Sequence, residues 1–270
     1  MTSDSGLKSG LPSKAVADPL GDRMKEAYEN RARYMLPRRT NTVIRMDGKA
    51  FHSFTKGFPR PYCEKLMDAM AETMRHLCEN ISGAQFGYCQ SDEISILLTD
   101  YATNQTQPWF GGNVQKMASV SAGMCSVAFN REFGSDNAVF DSRVFTVPDV
   151  TEVANYFVWR QRDAVRNSIQ MAAQSMFSHR ELHCKSTSDL QEMMFQKGTN
   201  WNDYIAAFKR GQMAQRDTVL KPVEYVDKCT GETVTTDPVE RRVWNVGEAD
   251  HFTAESLATI MWGRTPEYAA

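Results

Sequence analysis

The sequence predicts an α+β fold, with a βαββαβ core followed by a helical and β-hairpin C-terminal extension. Two observations predict the core. Short apolar runs typical of buried strands alternate with longer segments whose apolar residues recur at helical spacing. Over residues 19–148 their order is strand, helix, strand, strand, helix, strand, which is that of the ferredoxin-like fold. The hairpin is predicted from strand-forming residues on both sides of a Cys-Thr-Gly turn.

The chain begins with a segment that has little to bury. Residues 1–18 are rich in Ser, Gly, Lys and Pro, which predicts a disordered tail. A helix is expected from Leu20 to about Tyr34, with Asp22 as its N-cap. The first strand is predicted at residues 42–46.

Two amphipathic helices connect the four predicted core strands. The helices are expected at about residues 62–80 and 109–129, and the remaining strands at 84–89, 94–98 and 143–147. In a ferredoxin-like sheet the first and third strands form the central pair. The end of the first strand and the turn between the second and third are therefore expected at the same edge of the sheet.

The C-terminal half is predicted as an extension of this core. Residues 149–215 begin with a long helix from about Thr151 to Ser175, with Asp149 as its N-cap, and continue as short polar segments that carry basic residues. Residues 216–270 are expected to form a β-hairpin and a short amphipathic helix packed on the core.

Composition excludes several classes of protein. The formal net charge is −2, so any nucleic-acid contact must come from local basic patches. No apolar run approaches the roughly 20 residues that span a bilayer, and the N-terminus lacks the apolar core of a signal peptide. The six cysteines are scattered without a C-x-x-C pair, which is typical of reduced thiols. We expect a cytoplasmic protein with no membrane partner.

Two acidic pairs follow predicted buried strands. Asp47-Gly48 comes after the first strand, and Asp92-Glu93 lies between the second and third. Carboxylates among buried strands are costly unless a cation neutralises them. Mg²⁺ takes one or two protein carboxylates and completes its shell with water and phosphate, and paired Mg²⁺ ions are the usual machinery of nucleotidyl transfer. Alternatively each pair is only a turn, because Asp, Gly and Ser favour turns.

Basic residues recur in the predicted extension. The polar face of the long helix carries three arginines, which form either a solvated face or a binding face for a triphosphate or RNA backbone. The RNA-binding candidates of the extension are Arg160, Arg162, Arg166, Lys197, Lys209 and Arg210. Arg38 and Arg39 are further candidates before the first strand.

The segments around the acidic pairs resemble those of the tRNA-His guanylyltransferase family. Residues 43–52 (VIRMDGKAFH) resemble its V-R-I-D-G-R-x-F-H segment, and residues 88–93 (YCQSDE) resemble its Y-G-Q-S-D-E segment. The WRQ at 159–161 and the FKRG at 208–211 match further landmarks, so that the resemblance covers about residues 20–215. It implies a polymerase- and cyclase-type palm that adds nucleotides in the 3′-to-5′ direction to the 5′ end of tRNA, after ATP has activated the 5′-phosphate.

The resemblance also implies a set of site residues. Two Mg²⁺ ions would be held by Asp47, the carbonyl of Gly48 and Asp92, with Asp47, Asp92 and Glu93 as the catalytic residues. ATP and GTP, or other nucleoside triphosphates, would contact Lys49, Ala50, Phe51, His52, Arg60, Ser91, Lys116 and Asn167. A homotetramer is implied as well, which would combine basic faces from several subunits.

One segment departs from the pattern of the eukaryotic enzymes. They carry H-I-N-N-L-Y-N after the WRQ landmark, whereas residues 165–171 here read VRNSIQM, with only Asn167 in common. In this the chain is similar to the bacterial and archaeal guanylyltransferase-like branch. The implied function is therefore template-directed repair of tRNA 5′ ends, with G addition to tRNA-His as a second possibility.

Two other functions remain open. A nucleotidyl cyclase or a small-molecule nucleotidyltransferase would use the same paired carboxylates. The third hypothesis is a non-catalytic RNA-binding subunit. The presence of Asp47, Asp92 and Glu93 argues against it, because acidic residues repel the phosphates of RNA.

Overall fold

A computed structural model describes residues 18–226 and 228–262 of the chain. The chain divides into an N-terminal unit that ends at Tyr34 and a larger unit that begins at Met35. The predicted tail lies outside the described residues except for Asp18, and so does the end of the predicted C-terminal extension. Among the described residues, no helix is long and apolar enough to cross a membrane.

The N-terminal unit is helical, and its helix begins one residue earlier than predicted. Helix α1 (Pro19–Met24) continues as a π-helical turn at 25–29 and a 3₁₀ turn at 30–32. The N-cap is Asp18, whose carboxylate accepts from the backbone N of Gly21 at 2.9 Å. Asp22 was the wrong N-cap prediction, because Pro19 occupies the first helical position, where its missing N–H costs nothing.

The larger unit is built on one antiparallel sheet of six strands in the order β4-β1-β3-β2-β5-β8. A separate two-stranded sheet pairs β6 with β7. The strands are β1 Asn41–Gly48, β2 Ala84–Gln90, β3 Glu93–Thr99, β4 Phe140–Val147, β5 Gln212–Lys221, β6 Glu224–Val226, β7 Thr233–Thr235 and β8 Val239–Glu248.

Helices cover both faces of the six-stranded sheet. Those of the larger unit are α2 Phe51–Phe54, α3 Glu64–Asn80, α4 Val114–Phe133, α5 Val150–Gln174, α6 His179–Leu182, α7 Thr187–Gln196, α8 Ala206–Arg210 and α9 Ala254–Trp262. Helices α3 and α4 pack on one face around Met74, Leu77 and Phe129. Helices α5 and α9 pack on the other face, where Phe157 and Leu257 are buried.

The core has the predicted order of elements. Strand, helix, strand, strand, helix and strand follow one another from β1 to β4, and β1 and β3 are the central neighbours among these four strands. Asp149 caps α5 as predicted, since its side chain accepts from the backbone N of Glu152. The chain thus has the mixed α/β architecture with an antiparallel sheet that the sequence predicts.

The extension is more ordered and more closely joined to the core than predicted. The expected short polar segments contain α6, α7 and α8; α6 and α7 begin with capping boxes at Ser178 and Ser186. The predicted boundary between residues 215 and 216 falls inside β5, which pairs with β2 and so extends the main sheet. A sequence pattern cannot show this pairing, because about 120 residues separate the two strands.

Gly211 connects α8 to β5 in a backbone conformation that only glycine adopts readily. Its φ of 82° and ψ of −170° fall in that region, and an added Cβ would lie 2.5 Å from the carbonyl O of Cys89. We expect Gly211→Ala to lower the free energy of unfolding by about 2 kcal/mol or more, from strain and the clash with backbone. Chemical denaturation measures the change.

Gly198→Ala is the matched control for that variant. Gly198 also has a positive φ of 84°, but nothing lies within 4 Å of its added Cβ. It should therefore lose only the smaller cost of the left-handed backbone, about 1 kcal/mol. Equal losses in the two variants would contradict the close approach of β2 to Gly211.

Candidate functional site

The ends of β1 and of the β2–β3 hairpin meet at one edge of the sheet. The backbone N of Gly48 donates to the backbone O of Asp92 at 3.1 Å, and Asp47 lies opposite Glu93 in the β1–β3 register. The two acidic pairs, 45 positions apart in the sequence, are therefore adjacent in the fold. Side chains alternate between the two faces of a strand, so residues an even number of positions apart share a face. Val43 packs on the α5 side of the sheet, and Asp47, four positions later, therefore lies on the same side.

Two non-glycine residues near these ends have left-handed backbones. Ser91 has a φ of 51° at the tip of the hairpin, and Ala50 has a φ of 55° just before α2. Positive φ values suit tight hairpin turns, and at other residues they are uncommon. Both residues line the same cavity, so the strained backbone lies where the acidic pairs meet.

A cavity of about 530 Å³ opens beside this junction. A volume of this size suits a nucleotide-sized ligand. Its polar lining includes His52, Arg60, Ser91 and Asp92, and its apolar lining includes Phe58, Leu66 and Met171. A single ligand in this cavity could therefore contact the Asp92 carboxylate, the Arg60 guanidinium and apolar walls.

The electrostatics around Asp92 favour a bound cation. Burial raises the pKa of the Asp92 carboxyl, and repulsion from the Asp47 carboxylate raises it further, whereas hydrogen bonds from its own backbone N–H and from Ser91 lower it. A divalent cation would relieve both unfavourable effects. The donors available are the two carboxylates and the backbone oxygens of this edge, and oxygen is the ligand that Mg²⁺ prefers.

A metal site here would need donors from outside the protein. In the described part of the chain, no group of three or more His, Cys, Asp or Glu side chains is arranged to hold a metal. Two carboxylates with a carbonyl still fit Mg²⁺, which usually keeps several waters and binds substrate phosphates. Arg143, whose Nη2 lies 3.8 Å from Oδ2 of Asp47, is the nearby counter-charge that the chain itself supplies.

Glu93 is held by Arg160 and does not line the cavity. The Nε and Nη2 atoms of Arg160 donate to the two Glu93 oxygens at 2.7 and 2.6 Å, and both side chains are buried. Burial raises the pKa of Glu93, and the hydrogen bonds and charge of Arg160 oppose that rise. Arg160 also contacts Asp163 at 3.2 Å and the ring of Trp159 at 4.5 Å. This buried ion pair therefore stabilises the end of the sheet at which the acidic pairs meet.

The buried pair corrects the prediction that Arg160 contacts RNA. Its guanidinium is engaged by Glu93 and Asp163 and is almost inaccessible to solvent. Arg166, also predicted to contact RNA, pairs with Asp163 as well but remains exposed. Asp163 further accepts from the Nδ2 of Asn167, which is outside the cavity lining.

The remaining RNA-binding candidates of the extension lie near its short helices. Lys197 contacts the ring of Phe177 at 4.0 Å. Lys209 donates to the carbonyl of Asn202, and Nε of Arg210 donates to the carbonyl of Ala249 at 3.1 Å. Arg162 is exposed on α5. Before β1, Arg38 donates to the carbonyl of Thr106 at 2.9 Å, and Arg39 is anchored through its backbone N by Asp100.

The predicted nucleotide-binding residues divide into two groups. Ala50, Phe51, His52, Arg60 and Ser91 line the cavity, whereas Lys49 and Lys116 do not. Lys116 is in the first turn of α4, and its neighbour Met117 lines a small cavity with Thr42 and Leu98 at the opposite edge of the sheet. The structure therefore separates Lys116 from the site within one chain.

Some lining residues give no signal in the sequence. Tyr62 and Cys63 come just before α3, Leu66 lies in its first turn, and Met171 and Gln174 come from the end of α5. An apolar position on an amphipathic helix indicates only a buried face. Tyr62 and Met67 pack against the apolar cluster that contains Ile169 and Ala172 of α5, and this tertiary packing brings the two regions to the cavity.

An aromatic cluster fixes the loop that carries His52. The ring centroids of Phe51 and Phe54 are 5.0 Å apart, and Phe51 also contacts Phe129 at 5.5 Å and Phe140 at 5.0 Å. Such contacts stabilise beyond the area that they bury. Helix α2 is thereby anchored to α4 and β4, and His52 is presented to the cavity from a rigid support.

Comparison with known proteins agrees with this site. The family profile described as tRNAHis guanylyltransferase matches residues 21–148. The fold is similar to a bacterial tRNA(His) guanylyltransferase-like protein in complex with ATP, with 46% identity, coverage of 72% of this chain and 87% of the other, and a TM-score of 0.70. A bacterial protein of the same description in complex with GTP has 39% identity, coverage of 86% and 93%, and a TM-score of 0.71.

Curated sequences include matches at lower identity. The tRNA(His) guanylyltransferase of Debaryomyces hansenii is 27% identical over 69% of this chain and 77% of its own length. An uncharacterized protein of Acanthamoeba polyphaga mimivirus, R259, is 26% identical over 78% and 83%.

An antiparallel sheet that presents paired carboxylates beside a nucleotide-sized cavity is the arrangement of a nucleotidyltransferase. With the matches above, that is the class of this enzyme. The chain belongs to the tRNAHis guanylyltransferase family.

Proposed function

We propose that this protein adds nucleotides in the 3′-to-5′ direction to the 5′ end of tRNA, directed by the opposite strand, in a palm-type active site that binds Mg²⁺. The observation that carries the proposal is the cavity shared by Asp92, Ser91, His52 and Arg60. Relatives with the same fold are known in complex with ATP and with GTP. Repair of 5′-truncated tRNA fits this chain better than G addition to tRNA-His, because residues 165–171 lack the segment of the eukaryotic enzymes.

Asp47 and Asp92, with the carbonyl of Gly48, would hold two Mg²⁺ ions at the mouth of the cavity. When bound, the ions would lower the pKa of an attacking hydroxyl and neutralise the charge that develops on phosphate. The hydrogen bond between Gly48 and Asp92 holds the two ends together, so the carboxylates are positioned before ligands arrive. Glu93 and Arg160 keep that edge of the sheet in place.

Arg60 and His52 would bind the triphosphate, while the apolar lining would exclude water from the nucleoside. A guanidinium makes strong charge-assisted hydrogen bonds to phosphate oxygens. The walls formed by Phe58, Leu66 and Met171 suit the flat faces of a base and a ribose. A hydrogen bond between the ligand and the exposed side-chain amide of Gln174 would help to orient the ligand.

A homotetramer is part of the proposal, since a single chain with a net charge of −2 would hold tRNA weakly. Combined basic faces from several copies would provide it. Analytical ultracentrifugation with and without tRNA tests the assembly. A monomer that binds tRNA tightly at physiological salt would contradict this part.

The function is tested with a tRNA that lacks its 5′-terminal nucleotide. The purified protein, ATP, Mg²⁺ and an α-³²P-labelled nucleotide complementary to the opposite base should yield 5′-labelled RNA, and a noncomplementary nucleotide should not. A cyclic or dinucleotide product formed without RNA would instead show a nucleotidyl cyclase or small-molecule nucleotidyltransferase. If no product forms in either reaction, only the hypothesis of a non-catalytic RNA-binding subunit would remain.

Arg60→Ala should weaken nucleotide binding more than it slows the chemical step. Loss of a charge-assisted contact to phosphate is expected to raise KM for the nucleoside triphosphate roughly tenfold. Steady-state kinetics separates the two parameters. Lys56→Ala is the control, because Lys56 carries the same charge two residues after α2 but does not line the cavity. Equal effects in the two variants would exclude a specific role for Arg60.

A further inference from the structure

A second cavity lies on another face of α5. Its volume is about 410 Å³, and it is lined by α5, by the loop before α9, and by the segments that contain Trp201 and Arg210. Apolar walls come from Val158, Val165 and Trp201. The cavity shares no lining residue with the one beside Asp92.

Buried hydrogen bonds fix the walls of this cavity. Gln161 is 3% exposed, and its amide donates to the carbonyl of Asp250 at 2.6 Å and accepts from the backbone N of Phe252 at 2.7 Å. Nε of Arg210 donates to the carbonyl of Ala249 at 3.1 Å. The loop 249–252 is thus held to α5 and α8, so that the cavity is formed in the free protein.

Trp201 is held in place in the same way. Its indole Nε1 donates to the hydroxyl of Ser168 at 3.2 Å, and Lys209 lies over its ring at 5.6 Å from the centroid. Indole orientation is therefore set before a ligand enters. A fixed aromatic wall with a cation beside it suits a stacked base.

The charge around the cavity is positive. Arg162, Arg210 and His251 contribute to the lining. Within the described part of the chain, neither arginine forms an ion pair with a carboxylate. The Nη atoms of both guanidiniums remain available, and such groups bind phosphate in bidentate fashion. Apolar walls and an unpaired cationic rim together favour a flat ligand that carries phosphate.

We propose that this cavity binds one unpaired nucleotide of the RNA substrate, with its base against Val158, Val165 and Trp201 and its phosphate at Arg162 and His251. The inference rests on the proposed function, since it assigns a second contact for the same RNA. Val165 in this cavity and Met171 in the first are six positions apart on one helix, which is about 9 Å along its axis.

That spacing explains which nucleotide would be bound. If the 5′ end of a paired stem lies in the first cavity, the strand that faces it passes close to α5. Nucleotides that overhang at the 3′ end of that strand are unpaired, and their bases are free to stack on protein side chains. The occupant is therefore the 3′ overhang opposite the 5′ end that is extended.

The test compares two RNA hairpins that differ only in a single-stranded 3′ overhang. Their Kd values are measured by fluorescence anisotropy without nucleotide, for the wild-type protein, for Arg162→Ala/His251→Ala, and for His179→Ala/Arg180→Ala. The last variant removes the same pair of residue types from α6, away from this cavity. All four side chains are exposed, so both variants should fold.

The overhang should tighten binding to the wild-type protein and to the α6 variant roughly tenfold, as expected for one stacked base and its phosphate. Arg162→Ala/His251→Ala should lose most of that preference while its affinity for the blunt hairpin changes much less. No preference in the wild-type protein, or an equal loss for both hairpins, would overturn the inference. If the preference is found but no nucleotide is ever added, the proposed function fails and this binding site stands.

Discussion

Asp92→Asn is expected to slow nucleotide addition severely without weakening the fold. The substitution keeps the size of the side chain and removes one of the two carboxylates proposed to hold Mg²⁺. Loss of a charged group that stabilises a transition state costs about 100- to 1,000-fold or more in kcat. Single-turnover assays with saturating nucleotide measure the loss.

The same variant should unfold no more easily than the wild-type protein. Burial and the Asp47 carboxylate raise the pKa of Asp92, which means that the ionised carboxylate is less stable in the folded protein than in water. A neutral amide relieves both effects, and the free energy of unfolding should be unchanged or higher. Denaturation in Mg²⁺-free buffer measures it.

Asp141→Asn is the matched control. Asp141 lies beside Asp47 in the β1–β4 register, but it is exposed and outside the cavity. It should retain activity within a few-fold of the wild-type protein. Comparable losses in both variants would show that the general negative potential of this edge matters, and not the position of Asp92.

Arg160→Met is expected to have the largest effect on stability. Removing the guanidinium leaves the carboxylate of Glu93 buried among β3, β1 and α5 without its partner. Breaking a buried ion pair in this way typically costs about 3–5 kcal/mol in the free energy of unfolding. Urea denaturation at neutral pH measures the loss.

The loss should also depend on pH. In the variant, burial that raises the pKa of Glu93 is no longer opposed by Arg160. A carboxyl with a folded-state pKa above its unfolded value stabilises the fold when protonated, and that stability is lost as pH rises through the folded-state pKa. The variant should therefore be closer to the wild-type protein at about pH 5 than at about pH 8.

Two further variants complete this test. Glu93→Gln/Arg160→Met removes both charges and should recover part of the loss, because no unpaired ion remains. Arg75→Met breaks exposed pairs with Glu72 and Glu79 on α3 and should cost less than about 1 kcal/mol. An Arg160→Met variant as stable as Arg75→Met would contradict the buried pair.

Local sequence patterns predicted the framework of this protein. The order of β1 to β4 and the cap at Asp149 follow from periodicity and from short-range turn and cap chemistry. The junction of Asp47 with the hairpin tip follows from strand order alone, since the first and third strands of such a sheet are neighbours. These features depend on residues near each other in sequence or on a general rule of topology.

Features set by distant partners could not be predicted in this way. The sequence shows Arg160 on a polar helical face, but its partner Glu93 is 67 positions away and turns that position inward. Lys116 matches a family position, yet α4 places it at the opposite edge of the sheet. The pairing of β2 with β5 and the second cavity likewise require tertiary contacts.

The pairing of β2 with β5 has a consequence for how the protein is made. Strand β2 leads into the Ser91–Asp92 tip, and its partner β5 is translated about 120 residues later. At ribosomal speeds this is a delay on the order of ten seconds. During it the nascent chain exposes an open strand edge, which invites aggregation. Slow translation or a chaperone that shields this edge would then govern the yield of folded enzyme.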